Sequence, residues 1–203
     1  MKRFDKIFFG FVIGTMFPIM TSMLSFLIWF NGDRKETHAL IYVLIGLSSG
    51  LLIDLMFLKR LINKRYDLPI WFVAGIYILY NICVFGFFMG LPVFNVLLGL
   101  LAGYYFGNRI CFKNVESEEH SKLISQVSIF TGLIMTLICI SSGFLALLNN
   151  EAGGMIKEVL GLGFDVTRSM VLVIVLIGGL ILILTNIILT RIAMTKTIKI
   201  NAR

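Results

Sequence analysis

Met170–Thr190 reads MVLVIVLIGGLILILTNIILT, and no residue in it is charged. About 20 consecutive apolar residues in a helix cover the roughly 30 Å of hydrocarbon in a bilayer. An open strand of this composition would leave its amides unpaired in lipid, so the stretch reads as a transmembrane helix. Working outward, five more runs share its character: Ile7–Phe30, Ala39–Leu58, Pro69–Gly90, Leu91–Gly107 and Gln126–Leu148. The dyad alternation of a membrane barrel is absent. The expected fold is an all-α, polytopic bundle of six transmembrane helices forming a single membrane domain over residues 1–203.

Composition points the same way. Of the 203 residues, 58% are hydrophobic and 14% are charged. A soluble domain carries roughly 45–50% apolar and about 25% charged residues. This excess of apolar surface excludes a soluble enzyme, and the low charge excludes a disordered chain. The start, Met1-Lys2-Arg3, resembles the basic region of a signal peptide. The apolar run behind it is too long for a cleaved leader, so it reads as a retained anchor.

Lys and Arg set the expected orientation. With the N-terminus in the cytoplasm, 14 of the 18 basic residues fall on the inner side and 4 on the outer: Arg34, Lys35, Lys157 and Arg168. Both termini are therefore expected inside. The net charge of +7 is spread over short loop flanks, where it serves topology and attracts lipid headgroups. It forms no clustered basic face of the kind nucleic acid requires. Trp29 and Trp71 fit the aromatic belts at the interfaces.

Two connections carry detail. Gly90-Leu91-Pro92 reads as a tight antiparallel hairpin, with proline in the first turn of the next helix. In the loop Asn149–Ser169, the residues Met155, Ile156, Val159 and Leu160 lie at helical spacing. They read as a short amphipathic helix at the interface, or alternatively as a re-entrant segment.

Glycines mark the expected helix contacts. Gly99, Gly103 and Gly107 share a helix face with Asn95, and Gly46 and Gly50 share one with Asp54. Removing side chains lets two helix backbones approach closely. The occupant of such a face is another helix of the chain, a partner membrane subunit or a second copy.

Polar residues inside the runs are the candidate site. Asp54 is charged and lies four residues before the end of its run. It is expected to form an ion pair with Lys59, Arg60, Arg109 or Arg191, the alternative being a proton or cation site. Tyr77 and Asn81 share a face at i, i+4, and Ser48 and Ser49 sit near the middle of the second run. Hydroxyls and amides at this depth need partners, either across helices or in a ligand cavity. The candidate solute-binding residues are thus Asn81, Tyr77, Ser48, Ser49 and Asp54.

Much chemistry is missing. Cys83, Cys111 and Cys139 are isolated, and His38 and His120 fall on opposite sides of the membrane. No CxxC, HExxH, GxSxG, Walker or GxGxxG motif occurs, so no cofactor and no metal is expected. In size, six spans and cytoplasmic termini the chain resembles the substrate-binding subunits of energy-coupling-factor vitamin transporters. Gly10-x-x-x-Gly14 is similar in kind to the small-residue motif with which those subunits dock a partner, although that family's alanine pair is absent. The resemblance implies a solute-binding subunit that works with others. The polar residues at mid-depth lead to the expectation of a small transport component of a prokaryotic cytoplasmic membrane, binding a solute or ion near the bilayer midplane. Its alternatives are a non-transporting scaffold or assembly subunit and, third, a lipid-processing enzyme.

Overall fold

The computed structural model describes residues 3–32, 36–88, 90–149 and 165–201, with 153, 154, 157, 158, 161 and 163 between them. The α-helices are α1 (Arg3–Asn31), α2 (Glu36–Asn63), α3 (Ile70–Phe87), α4 (Asn95–Phe112), α5 (Ser117–Leu148) and α6 (Arg168–Asn201). There is no strand among the described residues. All but α4 are long and apolar enough to cross a membrane. Leu55 and Phe87 are each 82% exposed, which in water would be an aggregation hazard and in lipid is the ordinary state. The chain divides into two compact units, Met1–Phe72 and Val73–Arg203.

The first unit is the α1–α2 hairpin. Its packing is reciprocal along the two helices. A Cβ on Gly50 would run into Pro18, and one on Gly46 would meet the backbone and side chains of Thr21, Ser22 and Ser25. Further along, Gly14 lies against Leu58 and Gly10 against Ile62. Small residues on each helix thus receive larger groups of the other, so the backbones close together. Phe9, Ile13 and Met16 are buried on the same side of α1. Arg65 closes the end of the hairpin. Its guanidinium lies 5.6 Å from the Phe9 ring centre and 4.8 Å from that of Tyr66, and it donates to the Ile62 carbonyl at 2.8 Å. Such cation–π contacts stabilise a guanidinium packed among aromatic rings.

The second unit is built around α4. The turn before it is fixed locally. Gly90 has φ +83°, a conformation glycine adopts without penalty. Its N–H reaches back to the Phe85 carbonyl at 2.8 Å. Ser142 of α5 donates to the Gly90 carbonyl at 2.7 Å and ties the turn down. Pro92 then opens a single 3-10 turn, Pro92–Phe94, and α4 follows. The expected fourth run, Leu91–Gly107, therefore starts four residues early and stops five residues short of the helix observed.

Ten of the 18 residues of α4 are buried, including Asn95, Asn108 and Arg109. This explains its lower apolar content. A helix shielded by its neighbours can carry polar groups that a lipid-facing helix cannot. Asn95, Gly99, Gly103 and Gly107 form the buried stripe. A Cβ on Gly103 would run into the Thr190 carbonyl of α6, and one on Gly107 would come within 2.8 Å of Thr197 Cβ. α6 continues eleven residues past Thr190, because Met194 and Thr197 are buried in this seam. Asn201 donates to the Asn108 side-chain oxygen at 2.8 Å near its end. On the other side, Val96, Met135 and Cys139 make a small apolar core, with Leu182, Ile183 and Leu189 packed on it.

In the connection between α5 and α6, Gly153, Gly154, Lys157 and Glu158 are helical. The apolar residues expected to make that helix amphipathic, Met155, Ile156, Val159 and Leu160, lie outside the described residues. Lys157 pairs with Asp165 at 2.7 Å. The ammonium holds the Asp165 carboxyl below the usual carboxylate range. The pair stabilises above the ordinary carboxylate pKa and fades as pH falls through the lowered value, and exposure keeps the contribution small.

Candidate functional site: a buried polar cluster in the second unit

Four helices place neutral polar groups at one spot inside the second unit. α3 supplies Tyr77 and Asn81, α4 Asn95, α5 Ser128 and Thr131, and α6 Asn186 and Thr190. Asn95, Ser128, Thr131, Asn186 and Thr190 have no exposed surface, and Asn81 is 1% exposed.

Part of this cluster is satisfied internally. Asn95 Nδ2 donates to the Asn81 carbonyl at 2.7 Å and to Asn81 Oδ1 at 3.1 Å. Asn81 Nδ2 donates to the Tyr77 carbonyl at 2.9 Å. Thr190 Oγ1 lies 3.1 Å from the Gly99 carbonyl and 2.8 Å from the Asn186 carbonyl. It is also 3.1 Å from Thr131 Oγ1, with either hydroxyl able to donate. These bonds cross three helix pairs: α3–α4, α4–α6 and α5–α6. Interhelical bonds of this kind contribute about 0.6 kcal/mol each on average in a membrane.

The remainder is not satisfied. Neither amide atom of Asn186 has a hydrogen-bond partner, nor do Asn95 Oδ1 and Tyr77 Oη. The Tyr77 hydroxyl lies beside the Asn81 and Asn186 amides, yet makes no hydrogen bond of good geometry with either. A buried polar group left unpaired costs about 1–3 kcal/mol. Four such atoms at one place are unusual, since most buried polar atoms in folded proteins are paired. Every group here is uncharged. Together they offer one amide donor pair, carbonyl-type acceptors and a phenol, suited to a small uncharged molecule that both gives and takes hydrogen bonds.

The sequence-based candidates divide. Tyr77 and Asn81 come together with Asn95 and Gly99. Ser48 and Ser49 belong to the first unit, on α2. Ser48 is exposed and donates to its own helix at Leu44, and Ser49 donates to Gly46 at 2.8 Å. Asp54, also on α2, is 5% exposed. Its Oδ1 has no hydrogen-bond partner. Lys59 and Arg60 are exposed and stand at i+5 and i+6, off the face that i+4 would share.

Asn186 was not among the expected site residues. It is the one carboxamide in Met170–Thr190, a run otherwise of aliphatic residues, glycine and threonine. That isolation is the signal that could have found it. A separate cavity of about 160 Å³ lies where α5 meets α6, lined by Leu147, Asn149, Gly153, Val166 and Arg168 among others. Arg168 there donates to the Leu147 carbonyl at 2.9 Å. No group of three or more His, Cys, Asp or Glu side chains able to hold a metal ion occurs among the described residues. No protein-family model, curated protein or solved structure matches the chain.

Proposed function

We propose that the chain is a six-span transport component of a cytoplasmic membrane. Its buried polar cluster binds a small, uncharged, hydrogen-bonding solute. The observation that carries this reading is Asn186, fully buried with both amide atoms unpartnered. Within hydrocarbon, an unpaired amide is costly, and a bound hydrogen-bonding solute would complete it. Tyr77 lies beside the Asn81 and Asn186 amides and Asn95 is bonded to Asn81, so these groups would supply the solute's further contacts. Midplane polar sites between helices are where many transporters bind substrate.

Six spans, rather than five, are supported by the burial of α4. Its polar residues face protein, so low hydropathy does not bar it from the membrane. The 14-to-4 division of Lys and Arg supports cytoplasmic termini. The glycine stripe of α4 acts in packing this helix on α6. Membrane lipids cover the exposed apolar faces, and no nucleic acid is a partner. The scaffold reading has one observation in its favour. Gly75 and Gly86 of α3 meet nothing within 4 Å, and at i, i+11 they share a helix face on which another membrane subunit or a second copy could seat.

Solute flux tests the transport reading. The full chain is reconstituted into liposomes, and re-swelling is followed by stopped-flow light scattering after addition of urea, glycerol or erythritol. The expected result is entry of at least one of these faster than into empty liposomes, and loss of that excess in Asn186→Leu. Rates equal to those of empty liposomes for all three solutes contradict the reading.

A further inference from the structure

A second feature lies in the first unit and is independent of the solute cluster. It rests only on the chain spanning a membrane. Asp54 of α2 is 5% exposed, and its Oδ1 has no hydrogen-bond partner. Its Oδ2 lies 3.9 Å from the place a Cβ of Gly14 would occupy on α1. Four residues on from Gly14 stands Pro18, inside the same helix. Proline has no N–H, so the Gly14 carbonyl loses the donor that an unbroken helix would provide. A carboxylate and a helix residue whose carbonyl lacks its normal donor therefore meet at one level of the hairpin.

Among the described side chains of the first unit, no positive charge is shown paired with Asp54. On α2, Lys59 and Arg60 are exposed. Arg65 is turned to Phe9 and Tyr66. On α1, the charged residues are Arg3, Asp5 and Lys6, eight or more positions before Gly14. A carboxylate buried among apolar helices needs one positive charge beside or upon it.

We infer that Asp54, with Gly14 and Pro18 opposite, forms an exchangeable site for a single positive charge inside the α1–α2 hairpin, either a proton or an alkali ion. Oxygen donors of this type, a carboxylate and a backbone carbonyl freed from its helix, suit either. With glycine at position 14, no side chain of α1 stands between that backbone and the carboxylate, and Pro18 packs directly against Gly50. In a transport component, such a site would couple movement of the solute to that of a cation.

Labelling with dicyclohexylcarbodiimide tests the inference on the purified full chain in mild detergent. The reagent partitions into apolar regions and reacts with a protonated carboxyl. The acid proton passes to a carbodiimide nitrogen, the carboxyl oxygen bonds to the central carbon, and rearrangement leaves a stable acylurea carrying every atom of both reactants. Intact mass and peptide fragmentation locate the adduct. The expected result is one adduct on Asp54, lost as pH is raised and missing from Asp54→Asn, with that variant melting no lower than the parent. At fixed pH, suppression by sodium or potassium chloride relative to choline chloride assigns the site to an alkali ion. Equal labelling in the three salts assigns it to the proton. An adduct that responds to neither pH nor alkali ion overturns the inference. So does the lack of any adduct at Asp54 from acid to alkaline pH together with a sharp loss of stability in Asp54→Asn, which is the behaviour of an ion pair. Neither result depends on solute flux, so failure here is distinguishable from failure of the solute site.

Discussion

Gly103→Leu is expected to unseat α4 from α6. The position leaves no room for a side chain: a Cβ alone would strike the Thr190 carbonyl and come within 2.9 Å of Ala193 Cβ and 3.2 Å of the Met194 nitrogen. Two of these three are backbone atoms, which cannot rotate aside. Overpacking typically costs 1–3 kcal/mol and occasionally more, and a leucine against backbone belongs at the upper end. At about 3 kcal/mol, the melting temperature of a chain this size falls by roughly 6–12 °C. The seam also holds the Thr190 hydroxyl on the Gly99 carbonyl, so separating the helices unpairs part of the polar cluster. Thermal unfolding by intrinsic fluorescence in detergent, with size exclusion on the same sample, checks this. Gly75→Leu is the control, since Gly75 meets nothing within 4 Å and its substitution should leave the melting temperature unchanged. A Gly103→Leu protein with parental size and melting temperature would show that α4 and α6 do not meet there.

Asn186→Leu is expected to move stability and function in opposite directions. Leucine has a similar size and shape but no amide, so the two unpartnered atoms of Asn186 disappear along with their desolvation cost. Relief of about 1–3 kcal/mol follows, and each kcal/mol raises the melting temperature by roughly 2–4 °C. The Thr190 hydroxyl is unaffected, because it bonds the backbone carbonyl of residue 186 and not the side chain. Solute binding or flux should be lost in the same variant. Functional sites commonly hold such a trade, in which groups arranged for a ligand destabilise the empty protein. A variant that melts well below the parent would mean that the amide is bonded within the fold and that the cluster is structural.

The class of fold was legible because lipid leaves a chain few choices. Uncharged runs such as Met170–Thr190 must be helical in a membrane. Helix ends were less legible. Apolar runs stop where charge begins, whereas a helix leaving the bilayer keeps its own hydrogen bonds. α5 accordingly starts at Ser117, nine residues before the run that predicted it, and α6 ends at Asn201. The glycine stripe of α4 could be read as a close contact, but nothing in residues 91–107 names α6 as the facing helix. That pairing depends on Thr190, Ala193 and Thr197 lying opposite it.

The candidate site was half legible. Tyr77 and Asn81 announce themselves as polar residues at i, i+4 in an apolar run. Ser48 and Ser49 have the same outward sign but satisfy their hydroxyls on their own helix, as serines in apolar helices readily do. Side-chain type cannot separate these cases, since a hydroxyl can close a bond to its own helix backbone while the unpaired Asn186 amide is left open. Asp54 shows the same limit: its charge suggested an ion pair, and its sequence neighbours Lys59 and Arg60 stand at offsets that do not share its helix face.

Whether the buried cluster binds a solute is tested most directly by native mass spectrometry. The protein and its Asn186→Leu variant are purified in mild detergent from the cells that make it. The expected result is a defined small, neutral molecule retained by the parent in addition to lipid and missing from the variant. Identical spectra for the two, carrying nothing but lipid, would contradict it.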